Sequence, residues 1–376
     1  MRRMLAVGAI IAENQPSLHF MSHPIFLRAA TMPNLSVDRV HLDVAEAQGL
    51  SERAMRGIGY DDDEARILAD HVIDAALCGY EYSGLPKLLN IIDSPDFKNP
   101  RHPLRIVKET SVSALIDGGN NVGMLAIHHA TRDAIRRATQ HGFAIICLSN
   151  AWMSGRSAYY CEMLARAGFI GIHTASADAA VAPFGGTKRM LGTNPIAFGF
   201  PAEEDPLVID MGTSAFMGTD LKFRERLGTP IPEGVALGPD GQPTTDAGEA
   251  RRGALLPFGG PSSGYKGFGL ALAMEAMGAL CAGARESDDV RGYMIIAFKP
   301  DMFIPLEDYR HELTQRIADI KASPYREGVD EIRIPGERSG RVRKQLRRDG
   351  IEIDRKIYDA LGRLAEGNHN HGAGPV

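Results

Sequence analysis

At 376 residues, with 44% apolar and 24% charged side chains, the chain is long enough to bury a substantial core and has the balance of a globular protein. A formal net charge of −5 argues against a nucleic-acid partner, and no apolar run reaches the length of a membrane span. Four cysteines, Cys78, Cys147, Cys161 and Cys281, show neither a C-x-x-C pair nor metal-ligand spacing, so they read as buried thiols in a reducing compartment, with no metal site.

Residues 1–31 begin with Arg2-Arg3 and the apolar LAVGAIIA, but Glu13, Asn14 and Gln15 interrupt too early for a secretory h-region. They are expected to be a leader outside the fold, disordered or the product of an over-called translation start, with a targeting signal as the alternative. A helical region follows over 32–104. VHLDV reads as a short strand and AEAQGLSERAMRGIG as a helix, and 61–79 reads as a second helix. There Leu68, Val72, Ala75 and Gly79 recur at helical spacing, and Asp61, Asp62 and Asp63 suit the helix start.

Over 105–305 the pattern alternates. SALIDGG predicts a strand ending in a glycine turn, 122–142 a helix, FAIICL a buried strand, SAYYCEMLARAG a helix and FIGIHTAS another strand. Such alternation implies an α/β layer. Gly118, Gly119 and Gly123 lack G-x-G-x-x-G spacing and read as a structural turn.

The stretch Ala182–Pro201, APFGGTKRMLGTNPIAFGFP, packs glycines and prolines as tight turns or close backbone approaches demand. VIDMGTSAF at 208–216 and GPSSGYKGFGLALAMEAM at 260–277 repeat the habit. The polar stretch from Phe223 to Arg252 carries turns. The helix after Lys266 is apolar almost all round, which predicts burial. Residues 306–366 form a last helical part broken by IPGERSG, and 367–376 a disordered tail.

Together APFGG…LGTNPIAF, VIDMGTS, PTTDAGEA…GALLPFGG…YKGFGLAL and IPGER resemble the type-2 malate/L-lactate dehydrogenase family, from about Met32 onward. That family includes ureidoglycolate and sulfolactate dehydrogenases and cyclic-imine carboxylate reductases. The resemblance implies a non-Rossmann α/β layer that binds NAD or NADP, with a helical lobe from the N- and C-terminal parts. It also implies a small carboxylate substrate, a homodimer and a cytoplasmic location. Carried over motif by motif, the cofactor contacts would be Ser176, Asp210, Met211, Gly212, Lys266 and the turn Gly336-Glu337-Arg338. Lys266, between Gly264 and Gly267 at an expected helix start, has the charge and backbone donors a diphosphate needs.

At the catalytic positions the sequence departs from the family. Where the family reads approximately D-S-H-G-x-x-R-L, this chain has Tyr82-Ser83-Gly84 and Lys87-Leu88, with serine for histidine and lysine for arginine. Where a second motif, N-H-x-G, supplies a proton acceptor, this chain has Met153. Histidine suits that task because it titrates near neutrality; neither serine nor methionine does. Tyr82, Ser83 and Lys87 are the candidate catalytic residues, Tyr82 as a proton donor and Lys87 as a point charge for a carboxylate. His173, at a strand end, is a further base candidate or a core histidine. The expected function is NAD(P)-dependent chemistry at the α-carbon of a small carboxylate, leaning to reduction of a 2-oxo or cyclic 2-imino acid. A hydroxy-acid dehydrogenase with a repositioned base and a silent cofactor-binding homologue are the alternatives.

Overall fold

The computed structural model describes residues 38–281 and 291–367, so the leader and all of the tail but Gly367 lie outside the described residues. The chain begins with β1 (Arg39–Leu42), α1 (Val44–Gly57) and α2 (Asp62–Leu77). Both helices open with a D-x-x-E capping box: Asp43 with Glu46, and Asp61 with Glu64. Each aspartate side chain accepts the backbone N–H three residues on, and the glutamate returns the bond, so two exposed donors per helix are satisfied. A 3₁₀ turn at Glu81–Ser83 leads into α3 (Pro86–Ile92), where proline sits in the first turn and loses no helical bond.

A mixed sheet comes next. It is built from β2 (Arg105–Glu109), β3 (Ser113–Val122), β4 (Phe143–Trp152), β5 (Ile170–Ser176), β6 (Ile196–Phe200), β7 (Leu207–Met211) and a later strand, Gly292–Phe298. Helices α4 (Gly123–His141) and α5 (Ser157–Arg166) follow β3 and β4. Then come α6 (Gly218–Leu227), the short pair β8 (Ala236–Leu237) and β9 (Ala254–Leu255) with α7 (Ala247–Arg252) between them, and α8 (Gly260–Cys281). The later strand is β10, and the sheet order is β2-β3-β4-β10-β5-β6-β7 with only β3 and β4 parallel. The α/β class expected from the sequence is the one the chain adopts.

Three expectations are corrected. SALIDGG does not end in a turn, since β3 continues to Val122. Its glycines serve close approach: a Cβ at Gly118 would lie 2.7 Å from the Asn150 carbonyl, and Gly119 (φ +62°) would meet that of His102 at 2.3 Å. Next, α8 starts at Gly260-Pro261 rather than near Lys266, as glycine before a first-turn proline dictates. Nor is α8 buried all round. Ala271 and Met274 are inside, whereas Leu272 and Leu280 are 54% and 68% exposed.

The end of the chain returns to its beginning. After α9 (Leu306–Lys321) and α10 (Glu337–Asp349), β11 (Ile351–Asp354) pairs antiparallel with β1, and α11 (Arg355–Ala365) packs on α1. Leu361 and Leu364 share one core cluster with Leu50, Met55, Leu68 and Leu88. A Cβ on Gly57 would fall 1.8 Å from the Leu364 carbonyl, so the two helices meet backbone to backbone. Among the described residues no helix is long and apolar enough to cross a membrane.

Candidate active site

A cleft of 1370 Å³ runs between the helical lobe and the far edge of the sheet. Ligand pockets for small molecules are typically about 300–1,000 Å³, so this one has room for something larger. Its walls come from the Tyr80–Lys87 segment, the loop after β4, the end of β5, the edge strand β7, the start of α6 and the start of α10. Eight of the expected residues line it together: Tyr82, Ser83, Lys87, Ser176, Asp210, Met211, Gly212 and Gly336.

Three do not. Lys266 is exposed, seventh in α8, with its Nζ 6.0 Å from the Tyr265 ring centre. At that depth in a helix its N–H is already used in the i→i−4 ladder, so it offers no backbone cradle. Glu337 is spent on structure: it pairs with Lys321, and its Oε2 accepts the Ile334 N–H at 3.1 Å. Arg338 lies over Tyr80, 5.7 Å from the ring centre. Ser176 lines the cleft, but its Oγ accepts the Gly292 N–H at 2.9 Å and fastens β5 to β10.

Asp210 stands on the cleft wall at the end of β7, where its Oδ2 accepts the Ala158 N–H at 2.8 Å. Asp210 is exposed to the cleft, yet the protein crowding its carboxyl pushes it above the usual range, against the opposing pull of that bond and of Arg156. Burial likewise pushes the Tyr82 phenol up to about 12, with Tyr80, Asp220 and Asp210 adding and Arg338 opposing. Lys87 is only 8% exposed, yet it reaches the cleft. Burial, reinforced by the charge of Lys222, brings its ammonium down to about 8.

The histidine positions hold what the sequence says. Ser83 and Met153 both line the cleft, and none of the described residues lining it is a histidine. Met153 adopts φ +60°, a left-handed conformation uncommon for a non-glycine residue and costing about 1–3 kcal/mol. His173 is not a repositioned base. It is fully buried between Tyr160 and Tyr293, both ring nitrogens are unpartnered, and burial holds it down to about 3.

Sequence reasoning missed an ion cluster in the cleft wall, where Asp74, Arg156, Glu162 and Arg343 all line the cleft. Arg156 pairs with Asp74, and Arg343 reaches Asp74 at 2.8 Å and Glu162 at 2.6 Å. Burial alone would raise the Glu162 carboxyl, but Arg343 and Arg166 outweigh it and hold the group at about 2. Its members come from α2, the β4–α5 loop, α5 and α10, so no local spacing announces them. The glycine-rich stretch also acts structurally. Asn194 accepts the Ala177 N–H and donates to Glu275 on α8, while the Thr193 carbonyl accepts from Thr213, which ties down one wall of the cleft.

The cleft suits a nicotinamide dinucleotide on its own chemistry. The side chains of Lys222 and Arg347 line it without a hydrogen-bond or ion-pair partner among the described residues, and Arg189 donates only to the carbonyls of Arg251 and Arg252. Uncompensated cations of this kind complement a diphosphate. At Gly336 (φ +89°) a Cβ would meet the Val208 carbonyl at 3.1 Å, so α10 begins hard against the edge strand.

A sequence model of malate/L-lactate dehydrogenase matches residues 42–362. The L-sulfolactate dehydrogenase of Methanocaldococcus jannaschii is 35% identical over 320 residues, covering 82% of this chain and 91% of that protein. The solved structure of sulfolactate dehydrogenase from the same organism aligns with a TM-score of 0.76 at 33% identity, over 87% of this chain and 97% of its own. Malate dehydrogenase from Pyrococcus horikoshii aligns with a TM-score of 0.80 at 28% identity, over 91% and 99%.

Proposed function

The chain belongs to the malate/L-lactate dehydrogenase family and is an oxidoreductase, and from that premise we propose that it uses NADH or NADPH to reduce a small 2-oxo or cyclic 2-imino acid at its α-carbon. The observation that carries this reading is the pairing of a histidine-free cleft with an uncompensated lysine, Lys87. When bound, the cofactor supplies hydride to the α-carbon. Asp210, Met211, Gly212 and Gly336 form the wall that would hold it, with Ser176 behind them, and Lys87 holds the substrate carboxylate as a point charge.

A ketone needs a proton as hydride arrives, whereas a protonated imine already carries the charge that accepts hydride. Loss of both histidines therefore costs an imine reductase less than a hydroxy-acid dehydrogenase. Turnover of NADH and NADPH with a set of 2-oxo and cyclic 2-imino acids tests the reading. Oxidation of either cofactor with at least one substrate class is expected. Cofactor binding with no turnover of any of them would mark a silent homologue instead.

The exposed apolar side of α8, with Leu272 and Leu280, supports a homodimer in which a second copy covers it. The four free cysteines are in keeping with the reducing cytoplasm.

A further inference from the structure

Resting on that functional reading, we propose that Lys87 also delivers the proton to the α-heteroatom of the substrate, so that one residue serves as carboxylate clamp and as proton donor. Its place in the fold is the first observation. Lys87 lies in the first turn of α3, nearly enclosed, with its side chain at the cleft and no hydrogen-bond or ion-pair partner among the described residues.

The neighbouring carboxylates are committed elsewhere. Asp74 and Glu162 serve Arg156 and Arg343, Asp220 lies 3.4 Å from Arg224, and Asp210 is held by Ala158. Among the described residues, the titratable groups coupled to it are Lys222 of α6 and His71 of α2. The first repels a proton on Lys87, and the second is buried and neutral. From α11 the same core cluster receives the apolar Leu361 and Leu364. A lysine desolvated next to another cation is the arrangement that makes an amine useful near neutral pH. Lys87 accordingly titrates near 8, while the Tyr82 phenol stays protonated to about 12 and is much the weaker acid.

The chemistry needs no second group. In a 2-oxo acid a carboxylate oxygen and the α-oxygen sit side by side, and an ammonium carries three N–H donors. One N–H holds the carboxylate, which leaves another against the α-oxygen. As the new C–H bond forms at the α-carbon, the C=O π pair moves onto oxygen. That oxygen takes a proton from Nζ, the N–H bond breaks, and the neutral amine is recharged from water. A cyclic imine that is already protonated asks only for the clamp.

Lys87→Arg separates the two roles, because guanidinium keeps the charge but does not give up a proton at these pH values. The ratio of imino-acid to 2-oxo-acid turnover is expected to rise at least about a hundredfold in Lys87→Arg, the lower end of the range of general acid catalysis. Wild-type kcat/KM for the 2-oxo acid should fall above about pH 8, a limb absent from the variant. NMR of lysine-labelled apo protein, with the signal assigned by its loss in Lys87→Arg, should show Lys87 titrating near pH 8, and moving upward in Lys222→Met. An unchanged ratio with the alkaline limb intact, or a Lys87 titration above pH 10, would overturn the proton-donor role. Turnover of neither substrate class by the wild type overturns the functional reading itself, and the proton step with it, whatever the titration shows.

Discussion

His71 Nε2 accepts the backbone N–H of Arg156 at 2.9 Å, which fixes the loop that carries Met153 into the cleft against α2. The ring is fully enclosed and packs on Tyr159, so it holds the loop from behind rather than acting on substrate. Gly155 makes the contact possible, since it adopts φ +74° and a Cβ there would lie 2.1 Å from Nε2. Gly155→Ala should therefore destabilise the fold by about 2–4 kcal/mol, from overpacking plus left-handed strain. Urea unfolding would measure it, and a change below about 0.5 kcal/mol would contradict the geometry.

Acid stability follows from the buried histidines. His173 and His128 are held down to about 3 and about 4, mainly by burial, so the folded chain refuses protons that the unfolded chain accepts from about pH 6.5 downward. Stability should fall as pH drops from 6.5, and again below about 4.5 as Glu162 loses its charge towards pH 2. His173→Phe should flatten the first part of that fall while leaving turnover intact, as checked by thermal melts between pH 4 and 7. Loss of activity in this variant would restore His173 as a base.

The joining of the two chain ends in one lobe makes a stability prediction. Leu361 is fully buried beneath α1, so Leu361→Ala should cost about 2–5 kcal/mol in a single cooperative transition. A separate early transition would mean that the C-terminal helices unfold independently.

Assembly is tested on α8. Leu272→Glu places a charge on the exposed apolar side and should convert a dimer into monomers by light scattering. A wild-type monomer at micromolar concentration would remove the interface.

Much of the fold was legible because its signals are local. Asp61, Asp62 and Asp63 mark a helix start, and the apolar runs at 143–148 and 169–176 mark strands. Asp43, read as part of a strand, proves to be the cap of α1. The insertion of β10 between β4 and β5 was not legible, since strand order depends on pairings more than a hundred residues apart. The exposure of Leu272 was hidden for a related reason: an all-apolar helix looks the same whether its own chain covers it or another surface does. Eight residues that line the cleft were named through resemblance. The Asp74–Arg156–Glu162–Arg343 cluster was not, because its partners share no spacing.

The central claim is reduction without histidine, and the ratio of kcat/KM for a cyclic 2-imino acid to that for a 2-oxo acid in the wild-type protein tests it most directly. We expect the imino acid to be favoured at least about tenfold, on the order of 1.4 kcal/mol in barrier. Oxidation of malate or lactate at ordinary enzymatic rates, with no imino-acid reduction, would contradict the account.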